Sequence, residues 1–215
     1  MLLKIHPEDP PQRQINKIVE ILNGGGIVII PTDSVYAFAA NPFNKSAVEK
    51  ISRIKKIDFN KATFSFLGSN LSILSEYTKP IPNEIFRLMK SVLPGPYTFI
   101  LPINNKIPKI LENRRKTIGI RIPDNKIVHA IVDTIGHPIV SSSIKVNEQI
   151  GNEYISDPEL IYEMYMDIVD AVIDGGPGGL IPSTVIDATG EIPVLVRKGA
   201  GPVNFLDLVD EGENI

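Results

Sequence analysis

Gly26-Ile27-Val28-Ile29-Ile30-Pro31-Thr32-Asp33-Ser34-Val35-Tyr36 is the stretch on which the fold turns. An apolar run too short for a helix, and without polar alternation, suits a strand covered on both faces. Proline ends the ladder, and small hydroxyl residues follow at the strand's C-terminal end, where ligands of open α/β sheets sit. An ordinary strand-to-turn segment with Asp33 capping a loop has the same spacing, so this block alone leaves both readings open.

The logic recurs outward from it. Pro138-Ile139-Val140-Ser141-Ser142-Ser143 is an apolar run ending in three serines, and the period of two puts Ser141 and Ser143 on one side. Ile181-Pro182-Ser183-Thr184-Val185-Ile186-Asp187 is a third hydroxyl-rich strand end. Three such ends in one chain suggest a shared polar mouth for an anionic, phosphate-bearing ligand. Other expected strands are Thr63–Leu67, Tyr97–Leu101, Thr117–Ile122, Val169–Ile173 and Val194–Val196. Helical stripes fall at Ile15, Ile18, Val19 and Leu22, at Ile85, Leu88, Met89 and Val92, and at Val128, Ile131, Val132 and Ile135. Gly24-Gly25-Gly26 stops the first helix, because glycine accepts the left-handed turn that closes it. Interleaved helices and strands imply one α/β domain over residues 1–206, with a mixed sheet and an acidic tail at 207–215.

Basic side chains accompany the mouth: Lys55, Lys56 and Lys61 after a helix, Arg121 inside an apolar strand and Arg197 at the end of another. Arg121 needs a partner, which the pattern leaves among Asp33, Asp187 and a ligand carboxylate or phosphate. Gly175–Gly179 lacks the Gly-Lys-Ser/Thr of a P-loop and reads as a turn. His129 lies off its helix stripe and is expected to be exposed.

The 215 residues are 43% hydrophobic and 22% charged, enough for a sizeable core, and the formal net charge of -3 excludes bulk attraction to nucleic acid. With no cysteine, disulfides, thiolate metal sites and a Cys nucleophile are excluded. No His/Asp/Glu spacing suggests a protein-held metal. No credible His–Asp pair serves the serines for triad hydrolysis. The absence of a leader or a long apolar run makes a cytoplasmic, non-membrane protein the expectation. Nothing in the pattern specifies an oligomeric state.

These motifs, with Pro94-Gly95-Pro96-Tyr97-Thr98-Phe99, Gly119-Ile120-Arg121-Ile122-Pro123 and Val196-Arg197-Lys198-Gly199, stand in the order of the YrdC/YciO family of threonylcarbamoyl-AMP synthases. The chain resembles that family from about residue 5 to 205. Ile5-His6-Pro7, Phe86–Lys90 and Arg115–Gly119 lean toward its YciO branch. The resemblance implies a twisted α/β fold of the YrdC-like, DHBP synthase-like type, with a concave positively charged cavity. It implies ATP, L-threonine and bicarbonate as substrates, Mg²⁺ assisting, and threonylcarbamoyl-adenylate and pyrophosphate as products, for tRNA modification. It assigns Thr32, Arg121 and Ser183 to the threonine end. Lys55, Lys61, Thr98, Ser141, Ser143 and Arg197 fall to the nucleotide, with Lys55, Arg121 and Arg197 as the catalytic cations. Where the synthases carry Lys-x-Arg and Ser-x-Asn, this chain has Lys55-Lys56-Ile57 and Ser143-Ile144-Lys145, as the YciO branch does. That leaves, as the alternative reading, a YciO-type paralogue of weak or altered activity. Such a paralogue would bind tRNA or double-stranded RNA, or act on a threonylcarbamoyl substrate.

Overall fold

The apolar run that opens the chain's central motif becomes β2 (Val28–Ile30), the third strand in a ten-stranded mixed sheet. The computed structural model describes residues 1–58, 64–112, 116–145 and 154–204. In chain order the strands are β1 (Leu2–Lys4), β2, β3 (Ala37–Ala40), β4 (Ser65–Leu67), β5 (Tyr97–Pro102), β6 (Thr117–Arg121), β7 (Ile139–Ser143), β8 (Ala171–Asp174), β9 (Thr184–Asp187) and β10 (Val194–Arg197). The helices are α1 (Gln12–Asn23), α2 (Lys45–Ile54), α3 (Leu71–Ser75), α4 (Asn83–Val92), α5 (Lys126–Ile135) and α6 (Pro158–Tyr165). Across the sheet the order is β1-β8-β2-β3-β7-β4-β6-β5-β9-β10. β6 runs parallel to β4 and antiparallel to β5, and β5 runs parallel to β9.

The two faces of the sheet have different roofs. Ile29, Phe38, Phe66, Ile120, Phe99 and Ile186 point to a core closed by α2, α3, α4 and α6. Val28, Ile30, Ala39, Leu67, Ile139, Ala171 and Ile173 point the other way, onto α1 and α5. The expected stripe of α1, Ile15, Ile18, Val19 and Leu22, is buried there. Each such side chain stabilises the layer by about 1.5–3 kcal/mol. This second core takes no residue from β5, β6, β9 or β10. The α1/α5 roof therefore covers one half of its face, and what the other half carries decides the site.

Local signals account for the element ends. Asn44 and Asn125 cap α2 and α5 by accepting from Ala47 N and Val128 N, each at 3.0 Å. The glycine stop after α1 is made by Gly25, at φ 83°, with Gly26 N donating to Ile21 O at 2.8 Å. α2 ends the same way on Lys56, at φ 53°, a left-handed position without glycine. The expected strands appear with ends shifted by one or two residues, the expected start at Thr63 lying outside the described residues, while β1 and β3 come as additions. Cover on both faces fails at β10, whose four residues are all exposed on the sheet's edge. His129 is half-buried rather than exposed, and its Nε2 is enclosed without a partner among the described residues. The tail from 205 onward lies outside the described residues, as does Lys61. Among the described residues no helix is long and apolar enough to cross a membrane.

Candidate functional site

Arg121 is the last residue of β6, and its side chain stands on the face that α1 and α5 leave uncovered. Its Nη2 donates to Asp33 Oδ1, to Ser34 Oγ at 2.7 Å and to Thr32 Oγ1 at 3.2 Å. Thr32, Ser34 and Arg121 are all buried. The Pro-Thr-Asp-Ser turn is built to present these acceptors. Thr32 Oγ1 donates to Val35 O at 2.7 Å and accepts from Ser34 N at 3.2 Å, folding the turn on itself. Asp33 keeps its second oxygen on Asp124 N at 3.0 Å. Of the partners the sequence left open, Asp33 is the one found, and Asp187 caps Thr189 instead. Burial pulls the Arg121 guanidinium below its ordinary pKa, Asp33 opposes that pull, and the charge of Arg197 adds to it. Arg121 Nε is buried without a partner among the described residues.

Ser183 and Thr98 lie alongside. Their hydroxyls share a hydrogen bond at 2.8 Å, and both residues are buried. Arg197 Nη2 donates to Ser183 O at 2.8 Å. Gly199 explains how that arginine comes so near, since a Cβ there would lie 2.3 Å from Pro182 O. Two guanidinium groups therefore converge near Ser183. Arg197 and Thr98, which the resemblance assigns to the nucleotide, both bond Ser183, which it assigns to the threonine end.

The other end belongs to Lys55, at the C-terminus of α2. Its Nζ donates to Ser142 Oγ at 2.7 Å and Ser143 O at 2.8 Å. α2 roofs the opposite face, so Lys55 meets β7 at the strand's end, and through Ser142 rather than the Ser141/Ser143 side. Ser141 Oγ donates instead to Ser65 O at 3.3 Å. Lys145 has its Nζ 5.9 Å from the centre of the Tyr154 ring.

The register joins the two ends. Ser141 pairs with Ser65, Ser65 with Gly119, and Gly119 with Ile100. One step along the strands, Leu67 pairs with Arg121, and Arg121 falls opposite Thr98. Alternation puts all of these on one face, in two adjacent rows. Ser65 and the placement of Gly119 escaped the sequence, because they become neighbours only through pairings between distant strands, whereas Ser34 stood in the hydroxyl block already read as a site wall. The glycine run 175–179 was read as a turn, but it packs on the Pro31–Tyr36 segment. A Cβ at Gly179 would lie 2.1 Å from Ser34 O, and Tyr36 Oη donates to Gly176 O at 2.7 Å. Its signal was available in the sequence: it directly precedes the third hydroxyl block. Among the described residues no three His, Asp or Glu side chains gather to cage a metal.

Residues 20–199 match the family model Sua5–YciO–YrdC, described as telomere recombination. YciO of Escherichia coli strain K12 is 43% identical over 201 residues, covering 93% of this chain and 95% of its own length. The crystal structure of E. coli YciO superposes with a TM-score of 0.89 at 41% identity, over 95% of this chain and 98% of that one. Threonylcarbamoyl-AMP synthase of Coxiella burnetii strain RSA 493 is 28% identical over 186 residues, 86% of this chain and 98% of that protein. Sua5 of Pyrococcus abyssi, crystallised with L-threonine, matches with a TM-score of 0.87 at 26% identity, over 97% of this chain and 60% of that one.

Proposed function

This chain belongs to the Sua5–YciO–YrdC family, and we propose that its polar strip joins L-threonine, bicarbonate and ATP into threonylcarbamoyl-AMP, releasing pyrophosphate and water, to supply tRNA modification. The observation that carries the proposal is the pair of convergent arginines at the strand ends, one of them buried with Nε unpartnered. A buried cation with an idle donor, beside a second cation, favours an arriving carboxylate or phosphate. The threonine carboxylate meets Arg121, and the shared Thr98–Ser183 hydroxyl pair lies within reach of its polar groups. The nucleotide extends toward Ser141, Ser143 and Lys55.

The chemistry asks little of protein nucleophiles. Amine and bicarbonate give the carbamate and water. A carbamate oxygen then attacks the α-phosphorus, and the bond to the β-phosphate oxygen breaks to release pyrophosphate. Alignment of the two halves and fixed positive charge lower that barrier. The described residues offer no cage for Mg²⁺, so the ion would enter on the triphosphate, held by phosphate oxygens and water. Ile57 and Lys145 withhold the arginine and asparagine of the synthase pattern at the nucleotide end. Loss of one preorganised donor slows such reactions by about 10²-fold or more, which sets the expected turnover low.

The test is pyrophosphate release by the purified chain at high concentration. Release that requires ATP, bicarbonate and L-threonine together supports the proposal. Release indifferent to threonine, or none, refutes it.

A further inference from the structure

The two ends of the strip are one or two strands apart, and the residue between them has no role so far. Ser65 sits on β4 between Ser141 on β7 and Gly119 on β6. Beyond the ladder of the sheet, its carbonyl accepts from Ser141 Oγ at 3.3 Å. Its hydroxyl makes no hydrogen bond among the described residues, and the residue is half-buried. A central strand position of this kind is better filled by a β-branched or aromatic side chain, as β4 does with Phe66 on the opposite face. Gly119 completes the picture. A Cβ on Gly119 would stand 2.5 Å from Ser65 Oγ and 3.0 Å from Thr98 Cγ2. The bare backbone of β6 is what lets the serine lean across toward Thr98 and Arg121. Thr98 spends its own hydroxyl on Ser183 and turns its methyl to this point. Ser65 Oγ is thus an uncommitted donor at the junction of the two ends.

We infer that Ser65 is a further catalytic residue, whose hydroxyl donates a hydrogen bond to the oxygens linking the amino-acid and nucleotide halves. This rests on the synthase reading above. A ligand lying only at the arginine end or only at the lysine end leaves the hydroxyl untouched, whereas a joined one must pass over it. The residue therefore acts on the linkage and not on either substrate alone.

The experiment compares wild type, Ser65→Ala, Ser65→Thr and Gly119→Ala. Calorimetry measures ATP alone, L-threonine alone, and a sulfonylurea in which adenosine 5′-O-sulfamate is joined through a carbonyl to the amino nitrogen of L-threonine, which mimics the joined product and keeps the threonine carboxylate free. Pyrophosphate release measures turnover. Ser65→Ala should keep both single-substrate affinities within about 2-fold, bind the joined probe about 10-fold more weakly and turn over about 10-fold more slowly at unchanged KM, a neutral hydrogen bond's worth. Ser65→Thr, which keeps a hydroxyl, should restore most of both. Gly119→Ala, whose methyl displaces the hydroxyl without deleting it, should reproduce the loss. Ser65→Ala equal to wild type in probe affinity and turnover overturns the inference while leaving the synthase reading intact. An equal loss of affinity for the single substrates also overturns it, as the mark of a merely structural serine. A wild type that binds no probe and releases no pyrophosphate overturns both.

Discussion

Replacing Asp33 by asparagine removes one charge from the most enclosed ion pair among the described residues. The Arg121 and Asp33 side chains are 9% and 10% exposed, so neither is screened by water. Asparagine keeps the shape and one oxygen, enough to serve either Arg121 or Asp124 N but not both. The guanidinium then stays buried with a second arginine nearby and no counter-charge. Breaking a buried pair by deleting one partner costs about 3–5 kcal/mol. The retained oxygen should hold the loss near the lower end, roughly 3 kcal/mol, or about 6–12 °C in Tm for a chain of this size. The assay is denaturant unfolding followed by circular dichroism, run on Asp33→Asn, Arg121→Met and the double variant. If the pair is what stabilises the site, the double variant should cost little more than the worse single one, with a coupling of about 2 kcal/mol or more. A coupling below about 0.5 kcal/mol would refute the reasoning, since it would mean that the two groups fold independently.

Gly179→Ala drives a methyl onto backbone, not onto a yielding side chain, so it should destabilise by about 1–3 kcal/mol and displace Ser34. An unchanged Tm would show that the 175–179 segment gives way. Tyr36 has its pKa pushed up to about 12, first by burial, with the Gly175 N–H opposing and the carboxylates of Asp174 and Asp157 adding. A tyrosine raised from its ordinary 10.0 contributes stability that is whole below that pH and is lost as pH climbs through about 12. Stability should fall across that window by up to roughly 3 kcal/mol, and Tyr36→Phe should flatten the fall when melts are recorded from pH 9 to about 12.

The sheet's centre was legible because its signals are local. Ile27–Ile30 and the three helical stripes write their burial into four to eight neighbouring residues. β3 was not legible, because Ala37-Phe38-Ala39-Ala40 has one large side chain and three small ones, giving no strand signature of its own. β1 is three residues at a terminus, held as a strand by pairing with β8. In the site, the demand of Arg121 for a partner was readable from one strand, but the identity of that partner was not. Asp33 is 88 positions away and reaches it only because the turn after β2 folds against the end of β6, where Asp33 holds both Arg121 and Asp124 N. Lys55 was rightly placed after a helix, yet which serine it meets depends on the face that α2 roofs. Ser65 was invisible for the same reason: a lone serine among phenylalanines means nothing until the register sets it beside Ser141 and Gly119.

That register has a metric consequence. Strands in a sheet keep a spacing of ~4.8 Å, so the steps β7 to β4 to β6 to β5 lay out Ser141, Ser65, Gly119 and Ile100 over a total of ~14 Å, with Arg121 and Thr98 in the next row, two residues along their strands. The spacing is fixed by backbone hydrogen bonds and cannot be tuned by swapping side chains. The strip is in effect a ruler with polar marks at fixed intervals. On the proposed function it would select by length before chemistry: a molecule shorter than the ruler would hold one end of it, and only a molecule that spans the strands would read every mark.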